Sequence, residues 1–151
     1  MNIKESGIKG VKAHSSVTVI MPSNLYGCEL ALGVFVGPFV EIQKGVKIGE
    51  RTKVQSHSFI CELVRIGADC FIGHGVMFIN DLFSDGSPAD GDITKWKSTQ
   101  VGNHVSIGSN SSILPVSICD HVVIGAGSLV TKDINEPGIY AGNPAKKLRD
   151  I

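Results

Sequence analysis

The sequence predicts an all-β fold, a parallel β-solenoid made as one domain over residues 1–151, and three observations predict it. An aliphatic or aromatic residue recurs at every sixth position from Val36 onward. A glycine follows many of these anchors, as at Gly37, Gly49, Gly67 and Gly73. Glycine is also abundant, with 18 among 151 residues, against a usual share of ~7%. An amphipathic helix repeats near 3.6 residues and a half-buried strand at 2, so neither alone produces this period.

The anchors run Val36, Ile42, Ile48, Val54, Ile60, Ile66, Ile72 and Phe78, then return as Val101, Ile107, Ile113, Ile118, Ile124 and Val130. A second row follows each anchor by four: Val40, Val46, Thr52, Ser58, Val64, Cys70 and Val76, then Val105, Ser111, Ser117, Val122 and Ser128. Small and β-branched residues dominate it, as tight packing under a corner requires. Each unit reads as a short strand and a turn, with the glycine supplying backbone freedom at the corner. Three units make a triangular coil of about 18 residues, and stacked coils pair their strands in parallel at ~4.8 Å. The step from Ile113 to Ile118 is one residue short and should tighten a single corner.

Two segments leave the period. Residues 82–100, with four aspartates counted from Asp81, two lysines and the only tryptophan, Trp96, form a long insertion. Such a loop inside a repeat array is uncommon and is usually functional or a solvated excursion. Residues 132–151 form a tail in which Pro144–Arg149 is expected to be a short helix with proline at its start.

Composition narrows the function classes. Fourteen Lys plus Arg balance 14 Asp plus Glu, so no overall basic field exists to hold nucleic acid. The longest apolar stretch, Leu30–Val40, is about half a membrane span, and no signal-like apolar segment follows Met1–Gly7. Cys28, Cys61, Cys70 and Cys119 lack metal or disulfide spacing and read as reduced thiols, in keeping with a cytoplasmic protein and no metal.

Residues one coil apart stack in columns. His74 is expected over Ser56, Gly75 over His57, and Asn80 over Glu62 over Lys44. Across the insertion, Ser109 and Ala126 continue the His74 column. His74, between Gly73 and Gly75, is the best-placed imidazole, as general base or as a hydrogen-bond partner, with His57 near it. Asn80 cannot act as a base, but its amide both accepts and donates. Glu62 and Asp81 read either as polar substrate contacts or as solvated turn residues. Cys61, beside Glu62, is the one thiol placed to compete as a nucleophile.

The repeats resemble the [LIV]-G-x-x-[STAV]-x hexapeptide of left-handed parallel β-helix acyltransferases, over about Cys28 to Val130. Phe78-Ile-Asn-Asp81 is similar to the F-x-N-D motif of nucleotide-sugar N-acetyltransferases, and Gly138–Lys146 resembles the G-x-P-A-K ending of that branch. The resemblance implies left-handed coils and a homotrimer with active sites between subunits. It implies acetyl-coenzyme A as acyl donor and, as acceptor, the amino group of a dTDP-linked 3-amino-3,6-dideoxyhexose used for cell-surface polysaccharide. It casts His74 and Asn80 as the residues handling the amine, with His57, Glu62, Asp81 and Trp96 at the sugar. The pantetheine arm would pass Ser109, Gly125 and Ala126, and the phosphates would meet Lys132, Lys146 and Arg149. Transfer would be direct, within a ternary complex.

Three other readings share the periodicity. A zinc carbonic anhydrase of this fold needs histidines five residues apart, and the nearest pairs here, His57/His74 and His104/His121, are 17 apart. An O-acetyltransferase would depend more heavily on His74, because a hydroxyl needs a base more than an amine does. A non-catalytic scaffold would need neither the insertion nor the Phe78–Asp81 motif.

Overall fold

In the computed structural model, which describes residues 1–151, short parallel strands stack into three sheets around a triangular shaft. Sheet I has seven strands: Ile8–Lys9, Asn24–Tyr26, Glu41–Ile42, Phe59–Ile60, Met77–Phe78, Ser112–Ile113 and Leu129–Val130. Sheet II has six: Lys12–Ala13, Glu29–Leu30, Lys47–Ile48, Val64–Ile66, Thr99–Val101 and Ser117–Ile118. Sheet III has eight, starting with Thr18–Val19, Phe35–Val36, Lys53–Val54, Phe71–Ile72, Ser106–Ile107 and Val122–Ile124. Its last two strands are Gly138–Gly142 and Ala145–Arg149. The chain visits I, II and III in turn, one coil for every three strands.

Register follows the six-residue period. Phe59 pairs with Glu41 and Phe71 with Lys53, each 18 residues apart. The short step closes the I–II corner after Ile113 and brings Gln100 opposite Ser117, 17 apart. It also moves the second row: Val116 is buried there, and Ser117 points outward as a strand residue.

The anchors from Leu25 to Val130 form one continuous core in which no anchor exceeds 5% exposure. Second-row hydroxyls are buried without cost because each bonds a nearby corner carbonyl. Thr52 Oγ1 donates to Gly67 O at 2.8 Å, Ser58 Oγ to Gly73 O at 2.8 Å and Ser128 Oγ to Gly125 O at 2.6 Å. No buried side-chain polar atom lacks a partner.

The glycines after the anchors serve a purpose other than turn flexibility. Gly73 has an ordinary backbone, but a Cβ there would lie 2.7 Å from Ile107 O and 2.8 Å from Ser109 N of the turn above. The demand is close stacking. Left-handed φ values fall two residues later in the corners, on Arg51 (56°), His57 (63°), Asp69 (56°) and His104 (55°).

Three boundaries differ from expectation. The solenoid starts a turn earlier, at Ile8, where steps of five from Ile8 to Ala13 and Leu25 to Leu30 break the period. The insertion ends at Ser98, because Thr99–Val101 is a strand registered on Val64–Ile66. The tail is not helical: Ala145–Arg149 folds back antiparallel on Gly138–Gly142, which itself extends sheet III. The open sheet edge supplies a partner for every other backbone group of that segment, and strand pairing wins over local helix signals. No helix is long and apolar enough to cross a membrane.

Candidate active site

The expected columns form, but on two different corners. The III–I corner, between sheets III and I, carries Ser56, His74, Ser109 and Ala126 one above another, as the registers of Phe71 with Ser106 and Ser106 with Val123 dictate. Ser56 Oγ lies 2.8 Å from His74 Nδ1. Gly75 N donates to Ser56 O at 2.9 Å, and Asn110 N donates to His74 O at 2.8 Å, so the backbone clamps the imidazole's turn from both sides.

His57 lies in the turn below, with its ring stacked on Phe39 at a centroid distance of 4.9 Å. Gly75 leaves a notch above it. Asn110 lies across the top of that notch, since a Cβ on Gly75 would come within 2.5 Å of Asn110 Oδ1. Motif reading does not find Asn110 at this corner, and its signal is the 35-residue register that places it over Gly75. The Ser109 N–H donates to no protein acceptor and lies one turn above His74. At the top of the same corner sits the hairpin: Gly142 N donates to Ser128 Oγ at 3.2 Å, and Lys146 pairs across from Ala141.

Asn80 occupies the I–II corner, at the other end of the Met77–Phe78 strand. Six residues span one whole side of the triangle, roughly 15–20 Å at a rise of ~3.3 Å per residue. Within one chain His74 and Asn80 therefore do not meet. Asn80 Nδ2 donates to Glu62 O at 3.2 Å, and Lys97 N donates to Asn80 O at 2.9 Å where the insertion closes. Glu62 sits at this corner with Tyr26, Glu41 and Gln43, and burial with the two carboxylates pushes the Tyr26 hydroxyl up.

Asp81 is committed to the insertion. Its Oδ1 accepts from Phe83 N at 2.9 Å and its Oδ2 from Ala89 N at 2.7 Å. Lys95 pairs with Asp85 at 2.7 Å, and Asp92 caps the single 3₁₀ turn Ile93–Lys95, followed by half-buried Trp96. This built loop holds Phe83 58% exposed at φ 51°, an unusual conformation for a bulky residue.

The expected cation cluster divides. Lys146 and Arg149 lie on the terminal strand, whereas Lys132 lies at the I–II corner beyond Val130. Lys147 is bound to Asp150 at 2.8 Å and Glu136 at 3.3 Å. Cys61 is 2% exposed and burial pushes its thiol up to about 12, away from the thiolate form that a nucleophile needs. No group of three or more His, Cys, Asp or Glu is placed to hold a metal. None of the chain's four surface clefts contains His74 or Asn80.

Comparison with known proteins gives the same architecture. The family described as hexapeptide repeat of succinyl-transferase matches residues 99–132. The bifunctional protein GlmU of Streptococcus uberis is 34% identical over 125 residues, covering 82% of this chain and 25% of that protein. The chain thus spans about a quarter of the length of the curated relatives it matches. A galactoside acetyltransferase in complex with coenzyme A superposes with a TM-score of 0.67 at 29% identity, over 84% of this chain and 64% of that one. A point mutant of perosamine N-acetyltransferase from Caulobacter crescentus, in complex with CoA and GDP-perosamine, superposes with a TM-score of 0.65 at 23% identity, over 96% and 58%.

Proposed function

We propose that this chain, a member of the hexapeptide-repeat acyltransferases, transfers the acetyl group of acetyl-coenzyme A to the amino group of a nucleotide-linked sugar, at sites shared between copies of a cytoplasmic homotrimer. The observation that carries the reading is the placement of His74 and Asn80 at opposite ends of one strand of sheet I. Three copies arranged with sheet I toward a common axis would set the III–I corner of one beside the I–II corner and insertion of the next. The outward rows set sheet II toward solvent. Sheet I presents Phe59, Met77 and Leu129 beside Glu41 and Ser112, and sheet III presents Phe35, Phe71 and Val123, while sheet II presents Lys12, Glu29, Lys47 and Arg65. Apolar side chains suit the contact and charged ones the solvent.

The chemistry needs a donor for the developing oxyanion, an oriented amine and a proton acceptor. The free Ser109 N–H supplies the first, one turn above the imidazole. Asn80 accepts from the incoming amine through Oδ1, and His74 takes the proton as the nitrogen–carbon bond forms and the carbon–sulfur bond breaks. The run Ser109, Gly125, Ala126, Lys146 along one edge suits a pantetheine arm ending in phosphates. The Caulobacter relative's GDP-perosamine supports a nucleotide-linked amino sugar as acceptor. The choice of a dTDP-linked 3-amino-3,6-dideoxyhexose, for cell-surface polysaccharide, rests on the Phe78–Asp81 resemblance.

The test is a screen of nucleotide-linked 3-amino and 4-amino sugars, with free thiol release from acetyl-coenzyme A as readout. Thiol release with one of them, and N-acetyl product, is expected. Release with free sugars bearing only hydroxyls, and none with amino sugars, would overturn the reading in favour of O-acetyl transfer.

A further inference from the structure

His74 makes its only ring hydrogen bond to a neutral side chain, in a corner that offers no charged alternative from its own chain. Ser56 Oγ is 2.8 Å from Nδ1 and has no other partner. The corner turns Gly37–Phe39, Gln55–His57, Gly73–Gly75, Gly108–Asn110 and Gly125–Gly127 contain no Asp, Glu, Lys or Arg. Of the strands flanking His74 in its own turn and the turns above and below, only Lys53–Val54 carries a charge, Lys53, on the outward face of sheet III. The remaining titratable neighbour is His57, stacked against Phe39.

We propose that Ser56 is a positioning residue that accepts the Nδ1–H of His74, so that the Nε2 lone pair faces out of the corner toward an amine acceptor. The assignment rests on the acetyl-transfer reading above and adds to it a reason for nitrogen over oxygen. A hydroxyl oxygen acting as acceptor serves both neutral imidazole, with Nε2 free, and imidazolium after the proton arrives. It adds no negative charge, so it gives no carboxylate-type boost to basicity. An attacking alcohol must lose its proton as it attacks and needs that boost. A neutral amine attacks with its own lone pair and becomes acidic only once the nitrogen–carbon bond has formed. Nε2 then takes that proton, the carbon–sulfur bond breaks, and the electron pair leaves on the thiolate. The Ser56–His74 pair is matched to the second case.

The experiment uses the full-length protein labelled with ¹⁵N. Ring-nitrogen shifts of His74 are followed through a pH titration in the wild type and in Ser56→Ala, Ser56→Thr and Ser56→Asp. The wild type should show neutral His74 with the proton on Nδ1, Ser56→Ala a mixture of tautomers, and Ser56→Thr the wild-type pattern. Ser56→Asp should raise the titration midpoint. A wild-type proton on Nε2, or a tautomer unchanged in Ser56→Ala, overturns the assignment. In turnover with an amino sugar, Ser56→Ala should lower kcat by roughly tenfold, short of the roughly 10²–10⁴ of full general acid–base catalysis. Its KM for acetyl-coenzyme A should hold, and Ser56→Thr should restore the rate. Full kcat and an unchanged pH profile in Ser56→Ala also overturn the assignment. The expected shifts with no amino-sugar turnover in any form would instead sink the acetyl-transfer reading and leave Ser56 in place.

Discussion

Replacing Gly73 by alanine tests both the stacking of the solenoid and the site built on it. The added methyl would sit 2.7 Å from Ile107 O, 2.8 Å from Ser109 N and 3.0 Å from Gly108 C. Non-bonded heavy atoms prefer ~3.5–4.0 Å. All three neighbours are backbone, and Gly73 N already donates to Ile107 O at 2.8 Å, so no flexible side chain can yield. Overpacking of this kind costs about 1–3 kcal/mol. At about 2–4 °C per kcal/mol for a chain of this size, Tm should fall by roughly 2–12 °C. The same displacement lifts Ser109 N away from His74, so acetyl transfer should fall beyond what residual unfolding explains. Scanning calorimetry and turnover well below Tm separate the two effects. A variant that melts with the wild type and turns over at full rate would refute the claim that this glycine is required by close stacking.

Further outcomes follow from the same geometry. Asp81→Ala frees the Phe83 and Ala89 N–H groups, so protease cleavage within Ser84–Lys97 should quicken by roughly tenfold or more while Tm holds; unchanged cleavage would show the carboxylate does not hold the loop. Deleting Ser84–Lys97 should raise KM for the sugar more than KM for acetyl-coenzyme A, and an equal rise would make the insertion a structural part of the coil. Cys61→Ala should retain turnover, and loss of activity with a trapped acetyl-Cys61 would overturn direct transfer. Burial pushes Cys28 up to about 11 and Cys61 up to about 12, from an ordinary thiol value of about 9. The unfolded chain therefore loses these protons first, and their contribution to stability, complete below pH ~9, is lost as pH rises through 11–12. Urea midpoints should fall over that window, and less so in Cys28→Ala/Cys61→Ala.

Much of this was legible in the sequence because the solenoid is a nearest-neighbour structure. One period, from Val36 to Val130, fixes which side chains face inward and which stack on one another, so Ser56, His74 and Ser109 could be aligned by counting. The first turn escaped notice because its steps of five break the period and its inward residues, such as Ile8 at 49% exposure, sit at an open end. The tail was misread because Pro144 and its lysines favour a helix locally, whereas the free edge of sheet III is a tertiary feature. The glycines were located correctly but for another reason: corners need positive φ at Arg51 or His57, and stacking needs the missing Cβ at Gly73. His74 and Asn80 are only six residues apart in sequence, yet they sit at different corners. In this fold six residues are a full side of the triangle.

That separation makes complementation between variants the most direct test of the shared site. His74→Ala and Asn80→Ala, each inactive alone, are co-expressed and purified together. If His74 of one copy works with Asn80 of its neighbour, random assembly leaves about one site in four with both side chains intact. Acetyl transfer to the amino sugar should then return to about a quarter of the wild-type rate. A mixture no more active than the single variants would show that the two residues do not serve one site between copies.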